Sequence, residues 1–404
     1  MSKKGIVVIG LIIFGFAFLT QSIFGWMNVG TEDMRLENTG HGVSYGFDAH
    51  PLFHSNGSRS FYFATRTGIR YVPVRGGEPR FSEALSFTRP HMAVRGEVIA
   101  VGELERGRSI HVYDSNGLMY TAPLDSPPEG FSVNEAGYLS VILSIDSGYA
   151  IQIFNRHNWR EPFFTWYFYH TDAMRFPVAT EVSEDGQVIA IAYLNLGRHL
   201  TTEVEFMCLD RDVRRFGTDA LFAEEEFPDE MLLGMRFMED NQLLLITDNQ
   251  ITLRRIIGND VQEVWTKPLN NRLDQLGFYS GSHFAYVSGA PLSPDSHDAD
   301  PVGTVNIFDM SGQTGRFYLG RRATHLSMGL GGALIVGADR YFHALSAGGN
   351  SLWHHSVPHY VRDMIFLDNT NTVLIAGANR AYVWRRQRGR DNEPLLPYYH
   401  NIIQ

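Results

Sequence analysis

Short runs of apolar residues recur along the chain, and each is followed by a second run that ends at a turn or polar residue. The first runs are nearly continuous in apolar residues, for example at 187–194 and 333–338, which is typical of strands buried on both faces. The residues that follow the second runs are Pro73, Asp114, Asn155, Asp210, Arg255, Asp309, Ser346 and Arg385. Their mean spacing of about 45 residues is within the range of a four-stranded propeller blade.

Turn residues precede many of the first runs, as at Asn56-Gly57 and Asp185-Gly186, because Asn and Gly accept the positive φ of tight turns. A sheet of four short strands cannot cover both its faces, whereas sheets stacked around an axis cover one another. The pattern therefore predicts an all-β fold, a single β-propeller of seven or eight four-stranded blades, with eight preferred. A tandem of β-sandwiches is the alternative. At 219–226, one or two helical turns capped by Asp219 are predicted.

The last repeat has no clear fourth strand after Trp384, and the segment 42–47 is expected to supply that strand and close the ring. The regions predicted are a membrane anchor or uncleaved signal at 1–26, a short linker at 27–41, the propeller at 42–390 and a C-terminal tail at 391–404. The arginine run that begins at Arg385 is interpreted as a solvated tail.

The N-terminus has the pattern of a membrane segment. Lys3 and Lys4 precede an apolar stretch that reaches Trp26, and Glu32 and Asp33 follow it. At about 1.5 Å per residue this stretch crosses a hydrocarbon core of about 30 Å. The positive-inside rule predicts a single-pass protein of the inner (cytoplasmic) membrane, with its N-terminus in the cytoplasm and the propeller outside, in a periplasmic or extracellular position. A cleaved signal peptide is the alternative.

Composition narrows the classes of function. The chain of 404 residues has a formal net charge of -10 and no basic stripe, which argues against nucleic acid as a partner. Cys208 is the single cysteine, so neither an intrachain disulfide nor a cysteine-based metal site is possible. The sequence has no nucleophile elbow, phosphate loop, zinc-protease or dinucleotide motif, so neither an enzyme nor a cofactor is predicted. A pair of carboxylates from distant strands stays open as a glycoside-cleaving site.

Two segments carry a family resemblance. The sequence SEDGQVIA at 183–190 resembles the turn-and-strand signature of WD40-like bacterial propellers, and LSAGGNSLW at 345–353 resembles the repeat of quinoprotein-like propellers. In that group an aromatic residue closes the outer strand, a position that Trp265 and Trp353 fit. The resemblance implies a propeller over roughly residues 45–390 and a non-catalytic scaffold more often than an enzyme. It also implies that the loops between second and third strands share a face with the loops between blades.

Long loops on that face are the predicted partner surface. The segments 195–203 and 289–303 are long second-to-third loops, and 169–176 and 218–230 are long stretches between blades, all expected over blades three to six. The candidate partner-binding residues are Asn195, Arg198, His199, Glu224, Glu225, Phe227, Pro291, Asp295 and His297. The alternative is that these loops have no function. Deletion of 291–301 is expected to leave folding intact.

Metal candidates are few. The loop that carries Asp295, His297, Asp298 and Asp300 offers hard ligands, but it lacks the glycine and the spacing of a calcium loop, and a solvated acidic loop is the preferred interpretation. His354 and His355 are adjacent in a predicted strand, so they face opposite sides and do not share a metal.

The sequence predicts a non-catalytic, membrane-anchored extracytoplasmic propeller that binds a protein partner as a scaffold in a cell-envelope or membrane complex. The alternatives are a hydrolase or lyase acting on envelope polysaccharide, and a sensor that binds a small ligand in the central channel. Charged residues with shifted pKa values at the channel mouth would favour an enzyme, and an apolar patch on the loop face would favour a scaffold. The sequence does not define the oligomeric state.

Overall fold

The computed structural model describes residues 34–46, 51–55, 57, 59–169, 174–209, 220–279, 281–293, 298–357, 360–367 and 370–388. Within these ranges the strands form eight four-stranded antiparallel sheets arranged as the blades of a ring. The predicted all-β propeller is confirmed, with eight blades. The predicted anchor at 1–26 lies outside the described ranges, and within them no helix has the length and apolar character to span a membrane.

The strands follow one another from the inside of each blade to its outside, and the chain enters through β1 (Met34–Ser44). Blade 1 contains β2 (Leu52–His54), β3 (Ser60–Thr65), β4 (Gly68–Pro73) and β5 (Phe81–Ala84). Blade 2 contains β6 (Pro90–Arg95), β7 (Val98–Glu103), β8 (Ser109–Asp114) and β9 (Gly117–Pro123). Blade 3 contains β10 (Pro128–Val133), β11 (Leu139–Ile145), β12 (Gly148–Phe154) and β13 (Phe164–Tyr169). Blade 4 contains β14 (Arg175–Val182), β15 (Val188–Asn195), β16 (Thr201–Cys208) and β17 (Leu221–Pro228).

The second half of the ring repeats this order. Blade 5 contains β18 (Leu232–Met238), β19 (Gln242–Thr247), β20 (Gln250–Ile257) and β21 (Asp260–Pro268). Blade 6 contains β22 (Asn271–Tyr279), β23 (His283–Pro291), β24 (Thr304–Asp309) and β25 (Gly312–Tyr318). Blade 7 contains β26 (His325–Met328), a 3₁₀ turn at Leu330–Gly332, β27 (Leu334–Ala338), β28 (Tyr341–Leu345) and β29 (Ser351–Ser356). Blade 8 contains β30 (Asp363–Phe366), β31 (Thr372–Ala376), β32 (Arg380–Arg388) and, as its outer strand, β1.

The hydrophobic core is divided into clusters that each join two neighbouring blades. On β3, Phe61 and Phe63 pack toward blade 8, whereas Tyr62 and Ala64 pack toward blade 2. Because alternate residues of a strand point to opposite faces, both faces of such a strand are buried. This explains the nearly continuous apolar runs from which the fold was predicted.

The ring closes through β1, which pairs antiparallel with β32 from Met34 opposite Arg388 to Ser44 opposite Arg380. The closing strand therefore begins before the predicted segment 42–47, and residues 34–41 belong to the sheet rather than to a linker. An outer strand has one neighbour and needs few apolar residues, and here Leu36 supplies the buried contact. The arginines at 385, 386 and 388 likewise lie in a central strand of blade 8 rather than in a tail.

The helical turns predicted at 219–226 are wrong where the structure describes them, because Leu221–Pro228 forms β17. A run of alanine and glutamate favours a helix locally, but the free edge of β16 pairs with this segment and tertiary pairing overrides the propensity. Asp219, the predicted cap, lies outside the described residues. The segment 218–230 is consequently an outer strand for most of its length, and not a loop between blades.

The order of strands gives the disc two distinct faces. Loops between the second and third strands lie on the same face as loops between blades, and we name it the loop face. The other hairpin turns lie on the opposite face, which we name the base face. Because β1 is an outer strand, Met34 lies at the base face and Ser44 at the loop face.

Candidate functional site

Two arginines link blades 2 and 5 across part of the central channel near the base face. Arg236 on β18 donates from Nη2 to the carbonyl of Val94 on β6 at 2.9 Å. Arg95 on β6 donates to the carbonyl of Phe237 on β18. The inner edge of each first strand has unpaired backbone groups, and these two side chains satisfy them reciprocally between blades 2 and 5.

Glutamates of blade 4 complete this group, which we name the channel cluster (Arg95, Glu181, Glu184 and Arg236). The side chain of Arg95 is only 2% exposed, and its Nε donates to Glu184 Oε1 at 2.6 Å. Glu184 Oε2 accepts from the backbone N–H of Glu135 at 2.9 Å, and Glu181 accepts from the backbone N–H of Phe237. The cluster therefore ties blades 2, 3, 4 and 5 together.

Burial shifts the pKa values of these groups. It raises the pKa of Glu181 to about 7, against the opposing charges of Arg95 and Arg236. It also lowers the pKa of Arg236 to about 10. Beside the cluster, burial lowers the pKa of His54 to about 4. His54 Nε2 lies 3.0 Å from the carbonyl of Gly96, and because a carbonyl only accepts, the neutral ring donates from this nitrogen.

Replacing Glu181 with glutamine is expected to change how stability depends on pH. Between about pH 4.5 and pH 7 the folded chain keeps a proton on Glu181 that the unfolded chain loses, so the free energy of unfolding falls as pH rises. Glutamine does not titrate, so the free energy of unfolding of the variant does not fall in this way. The difference in free energy of unfolding, variant minus wild type, should therefore increase by about 1–3 kcal/mol from pH 4 to pH 8. Urea unfolding across this pH range measures the difference.

The matched control is Glu78→Gln, at an exposed position, which should leave the pH dependence as it is in the wild type. His54 acts in the opposite sense below pH 6.5, because its lowered pKa costs stability as pH falls. The comparison between variant and wild type removes that contribution. Parallel pH profiles for Glu181→Gln and the wild type would contradict the assignment.

A second charged group lies near the loop face between blades 3 and 4. Arg175 pairs with Glu203, with Glu205 at 2.9 Å and with Glu224 at 3.4 Å. Its guanidinium carbon lies 4.1 Å from the ring centroid of Tyr193. Burial opposes the charged form of Arg175, but Glu205 and Glu203 outweigh it and raise the pKa of the guanidinium. Three carboxylates around one cation leave this surface acidic.

Only some of the predicted partner residues of blade 4 lie on the loop face. Asn195 Nδ2 donates to Glu203 at 2.8 Å, and Arg198 and His199 are exposed in the following loop. His199 Nδ1 lies 3.6 Å from Asp229. These residues lie on the loop face as predicted.

The predicted residues of β17 fit the prediction less well. Glu224 is exposed beside Arg175, whereas Glu225 faces blade 5 and accepts from Arg254 Nε at 2.9 Å. Phe227 is only 5% exposed and packs in the cluster between blades 4 and 5. Its assignment to a partner surface is wrong, because strand alternation turns it inward.

The long loop of blade 6 is fastened to the blade. Pro291 is exposed at the end of β23, and Asp295 and His297 lie outside the described residues. The backbone carbonyl of Asp298 accepts from Asn270 at 3.4 Å. The carboxylate of Asp300 accepts from Ser288 at 3.0 Å, from Asn306 at 2.9 Å and from Arg316.

These contacts bear on two interpretations of the loop. The carboxylate of Asp300 is already occupied by protein donors, and the part of the chain that the structure describes contains no group of His, Cys, Asp or Glu arranged to hold a metal ion. Deletion of 291–301 would remove Asp300 and its bonds to β23 and β24. A deletion that keeps Asp300 is therefore the cleaner test of the expectation that the loop is not needed for folding.

Exposed apolar side chains mark the loop face more clearly than the predicted residues do. Nine of the 17 large apolar side chains that are exposed in the described chain lie on this face. They are Tyr169, Met174, Leu196, Met231, Leu292, Val302, Tyr318, Tyr341 and Tyr360. Three lie at turns of the base face, namely Leu118, Ile257 and Leu330, and five lie along strands, namely Tyr167, Val178, Leu221, Leu233 and Val264.

Two groups of these residues come from neighbouring blades. In the first, the blade 3–4 patch (Tyr169, Met174 and Leu196), the backbone N–H of Leu196 donates to the carbonyl of Met174 at 2.9 Å. The second is the blade 6–7 patch, which consists of Leu292, Val302, Tyr318 and Tyr341. There the Arg321 guanidinium lies 4.9 Å from the ring centroid of Tyr341.

Comparison with known structures supports the fold. The C-terminal WD40 domain of Sif2 aligns with a TM-score of 0.54 at 11% identity, over 87% of this chain and 98% of that chain. BamB from Moraxella catarrhalis aligns with a TM-score of 0.49 at 14% identity, over 89% and 100%. The β-propeller domain of Cps50 (Swd1) from Myceliophteria thermophila aligns with a TM-score of 0.47 at 11% identity, over 87% and 99%. The predicted resemblance to propeller repeat proteins is confirmed at the level of the fold.

Comparison with sequences gives the family. A search of curated proteins finds no match. A family model matches residues 64–383, which is most of the propeller. The chain therefore belongs to the family described as "Family of unknown function (DUF5711)".

Proposed function

We propose that this chain is a non-catalytic, membrane-anchored extracytoplasmic scaffold that binds a protein partner on its loop face. The observation that carries the proposal is the concentration of exposed large apolar side chains on that face. Contiguous apolar groups with a polar surround are characteristic of surfaces that bind other proteins. The blade 3–4 patch and the blade 6–7 patch are the contact regions proposed.

The charge beside the blade 3–4 patch indicates the chemistry of the partner. Glu224 and Asp229 are exposed there, and the Arg175 group carries more carboxylates than cations. A partner that places Arg or Lys next to apolar residues would match both features, because complementary charge increases the association rate and excludes wrong partners.

The position of Met34 supports an orientation for the disc. The described chain begins there, at the base face. If the apolar stretch before it anchors the chain, the base face is directed toward the membrane and the loop face away from it. In this orientation the two patches are accessible to a partner outside the cytoplasm.

The contacts of the channel cluster support the non-catalytic assignment. A carboxylate of raised pKa beside two arginines has the composition of an active site. Here, however, Arg95, Arg236 and Glu181 each bond to the backbone edge of an inner strand, and Glu184 pairs with Arg95. Groups used in this way hold the inner strands of different blades together, so a polysaccharide hydrolase or lyase is the less favoured alternative.

Site-specific photocrosslinking in intact cells tests the proposal. A photoreactive phenylalanine analogue at Leu196, on the loop face, is compared with the same analogue at Leu118, on the base face. The two positions are matched in exposure, at 44% and 48%. The Leu196 position should give a discrete adduct with another protein, and the Leu118 position should not. The adduct should be found in the membrane fraction and be degraded by protease added to spheroplasts.

A charge substitution complements the crosslink. Leu196→Glu should reduce recovery of the captured protein by about tenfold, because a carboxylate in an apolar contact costs more than 1 kcal/mol. Leu118→Glu should leave recovery unchanged. Equal adducts from both faces, or equal recovery with both variants, would overturn the assignment of the loop face.

A further inference from the structure

The central channel contains a cavity of about 410 Å³ beside the channel cluster. Its walls come from the inner strands of blades 1, 2, 5, 6, 7 and 8, and the apolar part includes Phe53, Phe278, Leu326, Met328 and Phe366. The lining is mixed, with somewhat more polar than apolar accessible surface. Cavities of a few hundred Å³ that combine apolar walls with a few polar groups are typical of small-molecule sites.

Arg236 is the cation in this wall. One of its five N–H donors bonds to the carbonyl of Val94. Its guanidinium carbon lies 5.3 Å from the ring centroid of Phe278, within the range of a cation–π contact. Among the residues that the structure describes, no carboxylate lies within ion-pair distance of Arg236, although the charges of Glu181, Glu184 and Glu135 act on it from farther away. Arg95, in contrast, is paired with Glu184. Arg236 therefore keeps donors for a ligand.

The remaining polar groups define the ligand further. His54 lines the cavity and is neutral, because burial lowers its pKa to about 4. Glu97 and Glu135 lie at the base-face mouth. The Glu97 carboxylate accepts from Ser115 Oγ at 3.0 Å, and the Glu135 side chain lies against Gly96. These two carboxylates weaken the attraction of an anion, so the expected affinity is modest.

We propose that this cavity binds a small organic acid with an apolar body, whose carboxylate pairs with Arg236 and whose apolar part contacts the phenylalanine, leucine and methionine walls. The planar fork of N–H donors on a guanidinium suits a bidentate carboxylate. The site is separate from the loop face and does not depend on the partner proposed for it.

Phenylacetate and phenylacetamide are the probes, because they share shape and apolar body and differ in charge. In ligand-observed NMR titrations of the full chain, phenylacetate should bind with a Kd of about 1 mM or below, and phenylacetamide at least about tenfold more weakly. This comparison uses the wild type alone, so it does not depend on whether a variant folds.

Arg236→Met should weaken phenylacetate binding by at least about tenfold and leave phenylacetamide binding unchanged. The control Arg106→Met, at an exposed position, should bind both probes as the wild type does. Equal affinity of the wild type for the two probes, no binding of phenylacetate up to about 10 mM, or full binding by Arg236→Met would overturn the proposal.

Discussion

Replacing Trp353 with alanine is expected to lower the free energy of unfolding by about 3–5 kcal/mol. The side chain is only 1% exposed and packs in the cluster between blades 7 and 8. It lies edge-on to Phe366, with ring centroids 6.3 Å apart, and its Nε1–H donates to the carbonyl of Thr370 at 2.8 Å. Truncation opens a cavity and leaves that carbonyl without its partner.

Two further variants separate these contributions. Trp353→Phe keeps most of the apolar volume and loses the hydrogen bond, so a smaller loss of about 1–2 kcal/mol is expected. Trp265→Ala should cost less than Trp353→Ala, because Trp265 is only partly buried, although its Nε1–H donates to Met310 at 3.1 Å. Urea unfolding followed by circular dichroism measures all three. An alanine variant at 353 as stable as the wild type would refute the interpretation.

These tryptophans illustrate how blades are joined at the rim. Trp265 lies on β21 and Trp353 on β29, both outer strands, and each donates to a carbonyl of the following blade. Tyr120 on β9 does the same from blade 2, through its hydroxyl to Gly137 at 2.8 Å. The expectation that an aromatic residue closes the outer strand is confirmed at both tryptophans.

The central strands were predictable from the sequence because burial on both faces leaves a plain signal. Every residue of β19 is buried, and so is every residue of β27. The outer strands leave no such signal, since one face is open to solvent. Because β1 is largely polar, the closing strand was predicted too short. Because β17 is largely polar, its segment was wrongly predicted to form a helical turn.

The candidate site was predictable where it depends on local sequence. Loop length indicated the loop face over blades 4 and 6, where exposed apolar residues do lie. The channel cluster was not predictable, because the bonds between Arg95 and Phe237 and between Arg236 and Val94 each join residues 142 positions apart. These residues come together only when the ring closes, and the spacing of residues along the chain does not indicate which blades will face each other.

The closing strand provides the second large expected effect. Deletion of residues 1–44 should destabilise the propeller by about 4 kcal/mol or more, because it removes a whole strand ladder and a buried leucine. Leu36 leaves the cluster between blades 7 and 8, and the bond from Thr39 Oγ1 to the carbonyl of Val383, 2.9 Å in length, is lost. The outer edge of β32 is then open to pairing with other chains.

The matched control is deletion of residues 1–33, which ends just before β1 and keeps every pair between β1 and β32. It should unfold at the same urea concentration as the full chain, whereas the longer deletion should unfold earlier and aggregate in size-exclusion chromatography. Since the strand is held by non-covalent pairing, a synthetic peptide of residues 34–46 should restore stability to the longer deletion in proportion to peptide concentration. If the longer deletion were as stable as the shorter one, β1 would not be what closes the ring.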